Sequence, residues 1–175
     1  MITEIPANGA LCFPHHFLGD IPSLGRRGVF FQQSHSDCGG AALKMVLAHH
    51  RITMDYGVLW RRLQNGPSGT TMLDIKRLAE SAGLHCAGWR LSPADLFAIP
   101  LPAILLLHRR HFAVVAATQS SRNILLLDPV RGRLDFPIRR LGLSWRGETL
   151  LFAVPAKGAA DDAQWFAGVR RRPRA

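Results

Sequence analysis

The chain has too few cysteines, in the wrong arrangement, for a stapled or zinc-bound scaffold. Its three, Cys12, Cys38 and Cys86, form an odd count with no CxxC pair. That argues against a disulfide framework or structural zinc site and favours a reducing compartment. A membrane-spanning run is also missing. The longest apolar stretch, from Ala98 to Leu107, is ten residues and holds two prolines, too short and too broken to cross a bilayer. No basic start followed by an apolar core marks a secretory signal in the first twenty residues. No GxxxxGK[ST] loop occurs, so no nucleotide-hydrolysing engine is expected in this chain. Acidic residues are scarce, 12 against 22 lysines and arginines, and the net charge of +10 implies an anionic partner.

What is present suits one globular domain of 175 residues, 47% hydrophobic and 19% charged. Residues 1–28 read as an irregular Pro- and Gly-rich extension, 29–156 as the folded domain and 157–175 as a linker or basic tail. Arg170, Arg171, Arg172 and Arg174 crowd that tail. It lacks the interleaved aromatics of a nucleic-acid module; as a juxtamembrane segment it would contact anionic headgroups, and otherwise it serves solubility. CGGAALKMVLAHH, from Cys38 to His50, predicts a buried helix with Asp37 at the N-cap position. A second helix is expected from a cap at Thr53 to Gln64, ended by Asn65-Gly66-Pro67. A third follows a capping box at Thr71 and Asp74 and closes at Gly83. Ser92-Pro93 opens a short fourth. Apolar runs at 103–107, 111–118 and 123–128, then 133–136 and 150–154, predict an antiparallel sheet. Helices first and strands afterwards give an α+β fold.

Cys38 is the candidate nucleophile. An isolated free cysteine is most often a small buried hydrophobe, but Gly39 and Gly40 follow this one inside a helix, where each costs about 1 kcal/mol relative to Ala. A helix that must admit a substrate backbone would accept both, so Gly39 and Gly40 are candidate substrate-binding residues. In the first helical turn, the dipole and free N–H groups would favour a thiolate. The nucleophile needs a base and the base an orienting group. His111 opens the apolar strand HFAVVAAT, and Asp128 ends the next one. In a hairpin of that length the start of one strand lies beside the end of the other, so the two side chains can meet at one edge of the sheet. Gln32, six residues before Cys38, could join the Cys38 N–H in stabilising an oxyanion, and Gln33 competes for that role. His108 and His111 would face opposite sides of a strand with no carboxylate or cysteine cluster nearby, so no metal site is expected. No cofactor is expected either.

The blocks FQQSHSDCGGAALKMVL, GTTMLDIKRLAESAGL, LPAILLLHRRHFAVV, LLLDPVRGRLDFP and LSWRGETLLFAV occur in that order between residues 30 and 156. Together they resemble the bacteriocin-processing, double-glycine-leader peptidase domain found at the N-terminus of certain bacterial ABC exporters. The resemblance implies a papain-like fold with Cys38 as nucleophile, His111 as base, Asp128 as its orienting carboxylate and Gln32 as oxyanion residue. It also implies cleavage of leader peptides after Gly-Gly or Gly-Ala. The implied partners are the leader peptide and a transmembrane ABC exporter, in cis or in trans, at the cytoplasmic face of the bacterial inner membrane. Some relatives have lost the cysteine and only bind cargo; this chain retains it. A cargo-docking domain is thus the main rival expectation, and an acyl or peptidyl transferase on the same architecture is another. About thirty residues precede the first block, where the family has only a few, and no transporter follows.

Overall fold

A computed structural model describes residues 28–63, 69–120 and 122–155. The N-terminal extension, the Asn65-Gly66-Pro67 stop, Cys12 and the basic tail lie outside the described residues. Three helices come first: α1 (Cys38–His49), α2 (Tyr56–Leu63) and α3 (Met72–Ser81). They pack on one face of a six-stranded antiparallel sheet. Its strands are β1 (His85–Arg90), β2 (Ala103–Leu107), β3 (His111–Thr118), β4 (Asn123–Asp128), β5 (Gly132–Pro137) and β6 (Trp145–Ala153). The spatial order is β1-β6-β2-β3-β4-β5, so the last strand inserts between the first and second. A helical turn, α4 (Ile138–Leu141), joins β5 to β6. The α+β arrangement expected from the pattern, and the papain-like packing of helices on an antiparallel sheet implied by the resemblance, are observed.

Helix α1 is apolar on most sides because it lies in the middle of the described domain. Ala41, Ala42, Leu43, Met45, Val46 and Leu47 are fully buried between the neighbouring helices and β3. Burial of each larger aliphatic side chain contributes about 1.5–3 kcal/mol, so α1 cannot shift without loss from every side. α3 starts as its sequence predicts. Thr71 Oγ1 accepts from the Asp74 N–H at 3.1 Å and Asp74 Oδ2 accepts from the Thr71 N–H at 3.0 Å. Gly83, with φ of +90°, follows its C-terminus.

Other local expectations differ from the structure. α2 is capped by Asp55, whose Oδ1 accepts from the Val58 N–H at 3.1 Å, and not by Thr53. The Ser92-Pro93 segment forms a 3-10 turn over Pro93–Phe97 in place of an α-helix. Strand β1 is absent from the sequence reading because HCAGWR has no apolar alternation. Its pairing partner β6 supplies the order, from His85 opposite Ala153 to Arg90 opposite Glu148. β6 itself starts at Trp145, five residues before its apolar run. The polar first half is held by Arg90 Nη2 donating to Glu148 Oε1 at 3.0 Å and Trp145 Nε1 donating to the Glu148 carbonyl at 2.9 Å.

Candidate active site

The candidate triad residues lie at the N-terminus of α1, the first residue of β3 and the last residue of β4. Cys38 is the first residue of α1 and is almost fully buried. His111 opens β3, paired with Leu107 across the β2–β3 ladder. Asp128 closes β4, one residue beyond the Val114–Leu127 pair. His111 Nε2 donates to Asp128 Oδ1 at 2.9 Å. A carboxylate can only accept, so Nε2 carries the proton of that bond. Cys38 acts on the same imidazole and favours its charged form. Residues far apart in sequence thus form one chain of contacts, Cys38–His111–Asp128.

Electrostatics favour a positive imidazole at its centre. Burial by itself would lower the His111 pKa, but hydrogen bonds and charge attraction from Asp128 and Cys38 outweigh it and push the pKa up to about 9. Burial likewise acts to raise Asp128. The bond from His111 and its charge, with the N–H groups of Val130 and Arg131, win and hold this carboxyl below the usual aspartate range. Those backbone N–H groups reach Asp128 Oδ1 at 2.8 and 3.2 Å. Asp128 is therefore both the turn former that its Asp-Pro context predicts and the partner of His111.

Gln32 and Gln33 separate by environment. Gln32 is fully buried, while Gln33 is exposed. The Gln32 amide has an assigned orientation, because Nε2 donates to the Ser34 carbonyl at 2.8 Å, a group that cannot donate in return. Its Oε1 is buried with no hydrogen-bond partner. An unpaired buried amide oxygen costs on the order of 1–3 kcal/mol, which a purely structural glutamine would not need to bear.

One expectation about the start of α1 needs correcting. Asp37 occupies the N-cap position, but its side chain makes no capping bond. It turns back instead to accept from the N–H groups of Gln33 and Ser34, which sequence reading missed. The glycines have a packing reason. A Cβ at Gly39 would stand 2.9 Å from Thr70 Cγ2 and 3.2 Å from Ile75 Cδ1, and one at Gly40 would stand 3.6 Å from Leu63. Both positions face the protein interior, so the absence of a side chain at 39 follows from close approach to Thr70 and α3. For Gly39 packing thus stands beside the expected reason, room for a substrate backbone.

Residues 26–157 match the model of the peptidase C39 family. This chain is a peptidase C39 domain. Among its relatives is the probable functional amyloid protease FapD of Pseudomonas aeruginosa, 30% identical over 138 residues, which cover 73% of this chain and 60% of FapD. The chain thus spans about 60% of the length of that relative. Among solved structures, it is similar to a double glycine motif protease from an AMS/PCAT transporter in complex with the leader peptide. The TM-score is 0.69 at 23% identity, covering 78% of this chain and 98% of that one. The peptidase domain of Streptococcus ComA, a bifunctional ABC transporter of a quorum-sensing pathway, gives a TM-score of 0.66 at 21% identity, covering 71% and 96%. These two likenesses establish the shared fold. Among the described residues of this C39 domain, no helix is long and apolar enough to cross a membrane.

Proposed function

We propose that this C39 domain is a cysteine endopeptidase that removes double-glycine leaders from peptides destined for export. The observation that carries the reading is the His111–Asp128 hydrogen bond, with buried Cys38 acting on the same imidazole from the start of α1. Cys38, as thiolate, attacks the carbonyl carbon of the second leader glycine. The oxyanion is stabilised by the Gln32 amide and the Cys38 backbone N–H at the start of α1. His111, protonated and held by Asp128, passes its proton to the departing amine, and the C–N bond breaks to leave a thioester on Cys38. His111 then takes a proton from water, whose attack releases the leader acid and restores the Cys38 thiolate beside protonated His111. The leader backbone passes close to Gly39 and Gly40. The partner is an ABC exporter at the cytoplasmic face of the inner membrane, with the basic tail near anionic headgroups. Nucleic acid has no part in this reading, and no metal or cofactor enters any step.

The test is cleavage of synthetic leader peptides with the cut site read by mass spectrometry. Wild type is expected to cut after Gly-Gly and Cys38→Ala to lose turnover while keeping its thermal midpoint. Turnover by Cys38→Ala would overturn the mechanism. A cargo-docking domain would bind the leader without cutting it, and its Cys38 would show no His111-dependent alkylation by iodoacetamide. The relation to FapD favours a second substrate, a secreted functional-amyloid component, reached by the same chemistry. Cleavage of such a component at a site lacking the Gly-Gly pair would favour it over an exported peptide.

A further inference from the structure

Asp37 is a buried carboxylate next to Cys38 that the proposed mechanism does not use. It is 4% exposed, and burying a charge is costly unless hydrogen bonds satisfy it. Its partners all lie on the segment before α1 or beside it. Oδ2 accepts from the Gln33 N–H at 2.9 Å and from the Tyr56 hydroxyl at 2.6 Å, and Oδ1 accepts from the Ser34 N–H at 3.0 Å. Tyr56 is placed by its ring, which packs on Phe30 with centroids 4.4 Å apart. The Tyr56 hydroxyl is held in its protonated, donating form: burial raises its pKa far above the usual tyrosine range, and the Asp37 charge adds to that. The carboxylate also holds Ser34 by its N–H, and the Ser34 carbonyl, in the following peptide unit, accepts from Gln32 Nε2 at 2.8 Å. The bonds run from the Tyr56 hydroxyl to the Asp37 carboxylate, on through the Ser34 backbone, and end at the Gln32 amide.

We propose that Asp37, held by Tyr56, is a positioning residue that aims the Gln32 amide for oxyanion stabilisation. One Nε2–H is spent on Ser34, which sets the plane of the amide and leaves the second N–H for the oxyanion. This rests on the peptidase reading above and deepens it. Without the Asp37 carboxylate, the N–H groups of Gln33 and Ser34 lose their acceptor, Ser34 is free to rotate, and the amide loses its reference. The effect falls on the transition state, because the ground-state substrate carbonyl carries little charge to stabilise.

The experiment pairs steady-state kinetics on a Gly-Gly leader peptide with the rate of Cys38 alkylation by iodoacetamide across pH. In Asp37→Asn one oxygen becomes an amide that opposes a backbone N–H. In Tyr56→Phe the carboxylate stays and only the hydroxyl is lost. Both are expected to lower kcat, by roughly 10- to 100-fold for Asp37→Asn and less for Tyr56→Phe, with KM little changed. The alkylation rate and its pH profile should stay at wild-type values, since the Cys38–His111 contact is untouched. Combining Asp37→Asn with Gln32→Ala should be no worse than Gln32→Ala alone, because both remove the same interaction. Additive losses, an unchanged kcat in Asp37→Asn, or a parallel fall in alkylation would overturn the positioning role. If Asp37→Asn does not fold, Tyr56→Phe decides the matter by the same criteria. Wild type that alkylates in a His111-dependent way yet cuts no leader would overturn the proposed function itself, and this inference with it.

Discussion

The backbone N–H of Gln32 donates to the Pro129 carbonyl at 3.0 Å, tying the strand before α1 to the turn after Asp128. The same turn holds Asp128 through the N–H groups of Val130 and Arg131. The proposed oxyanion residue and the proposed orienting carboxylate are thus fixed to each other by main chain. Side-chain changes at either position should leave that frame in place, so each role can be tested separately.

Asp128→Asn is expected to move the alkaline limit of activity. His111 is raised from 6.5 to about 9, so the native state favours its protonated form. The stability this contributes is complete below the ordinary histidine pKa and is lost as pH rises through about 9. Activity should fall over the same range, as His111 loses the proton it gives to the leaving amine. Asparagine still accepts from Nε2 but removes the negative charge, which shifts the limit to lower pH. It should also cost about 10-fold or more in rate, equivalent to about 1.4 kcal/mol of barrier. A kcat/KM profile against pH checks both, and an unshifted alkaline limb would contradict the assignment.

Gln32→Ala is expected to lower kcat by about 100-fold with little change in KM, the usual scale for one oxyanion donor. Gln33→Ala is the control, since Gln33 lies at the surface. A defect confined to Gln33→Ala would move the oxyanion role by one position.

Gly39→Ala should destabilise the fold, because the added Cβ meets Thr70 Cγ2 at 2.9 Å. The expected cost is about 1–3 kcal/mol, the usual range for overpacking. Thr70→Ser removes that methyl and keeps the hydroxyl that donates to the Leu63 carbonyl at 3.1 Å. The double variant Gly39→Ala/Thr70→Ser should therefore recover much of the loss. Gly40→Ala places its Cβ at ordinary contact distance and gains helix propensity, so it should be neutral or better. Denaturant midpoints separate the three, and an equal loss in both glycine variants would point to something other than packing.

Leader variants should divide into two classes. Val in place of either leader glycine should mainly lower kcat, because a branched side chain keeps the carbonyl from Cys38. Ala in place of upstream apolar anchors should mainly raise KM through lost uniform binding. Kinetics on a short panel of synthetic leaders reads both, and equal cleavage of the Val variant would contradict a requirement for small residues at the cut.

The sequence by itself determined the elements whose signals are local. The Thr71–Asp74 box starts α3, the all-apolar run buries α1, and the short apolar stretches mark β2, β3 and β4. The pairing of His111 with Asp128 was also legible, because hairpin geometry brings the start of one strand to the end of the next. Tertiary structure alone decided matters that depend on partners distant in sequence. β1 has no pattern of its own and exists because β6 pairs with it, just as the polar half of β6 is ordered through Arg90 and Glu148. Gln32 and Gln33 are equivalent by spacing, and only burial separates them. Asp37 has the residue type and position of a cap, yet a cap and a loop clamp use the same carboxylate. Tyr56, nineteen residues on, gives that carboxylate its other partner. Local propensity cannot encode such a choice, because the hydrogen bond that settles it is made only when α2 has packed beside α1.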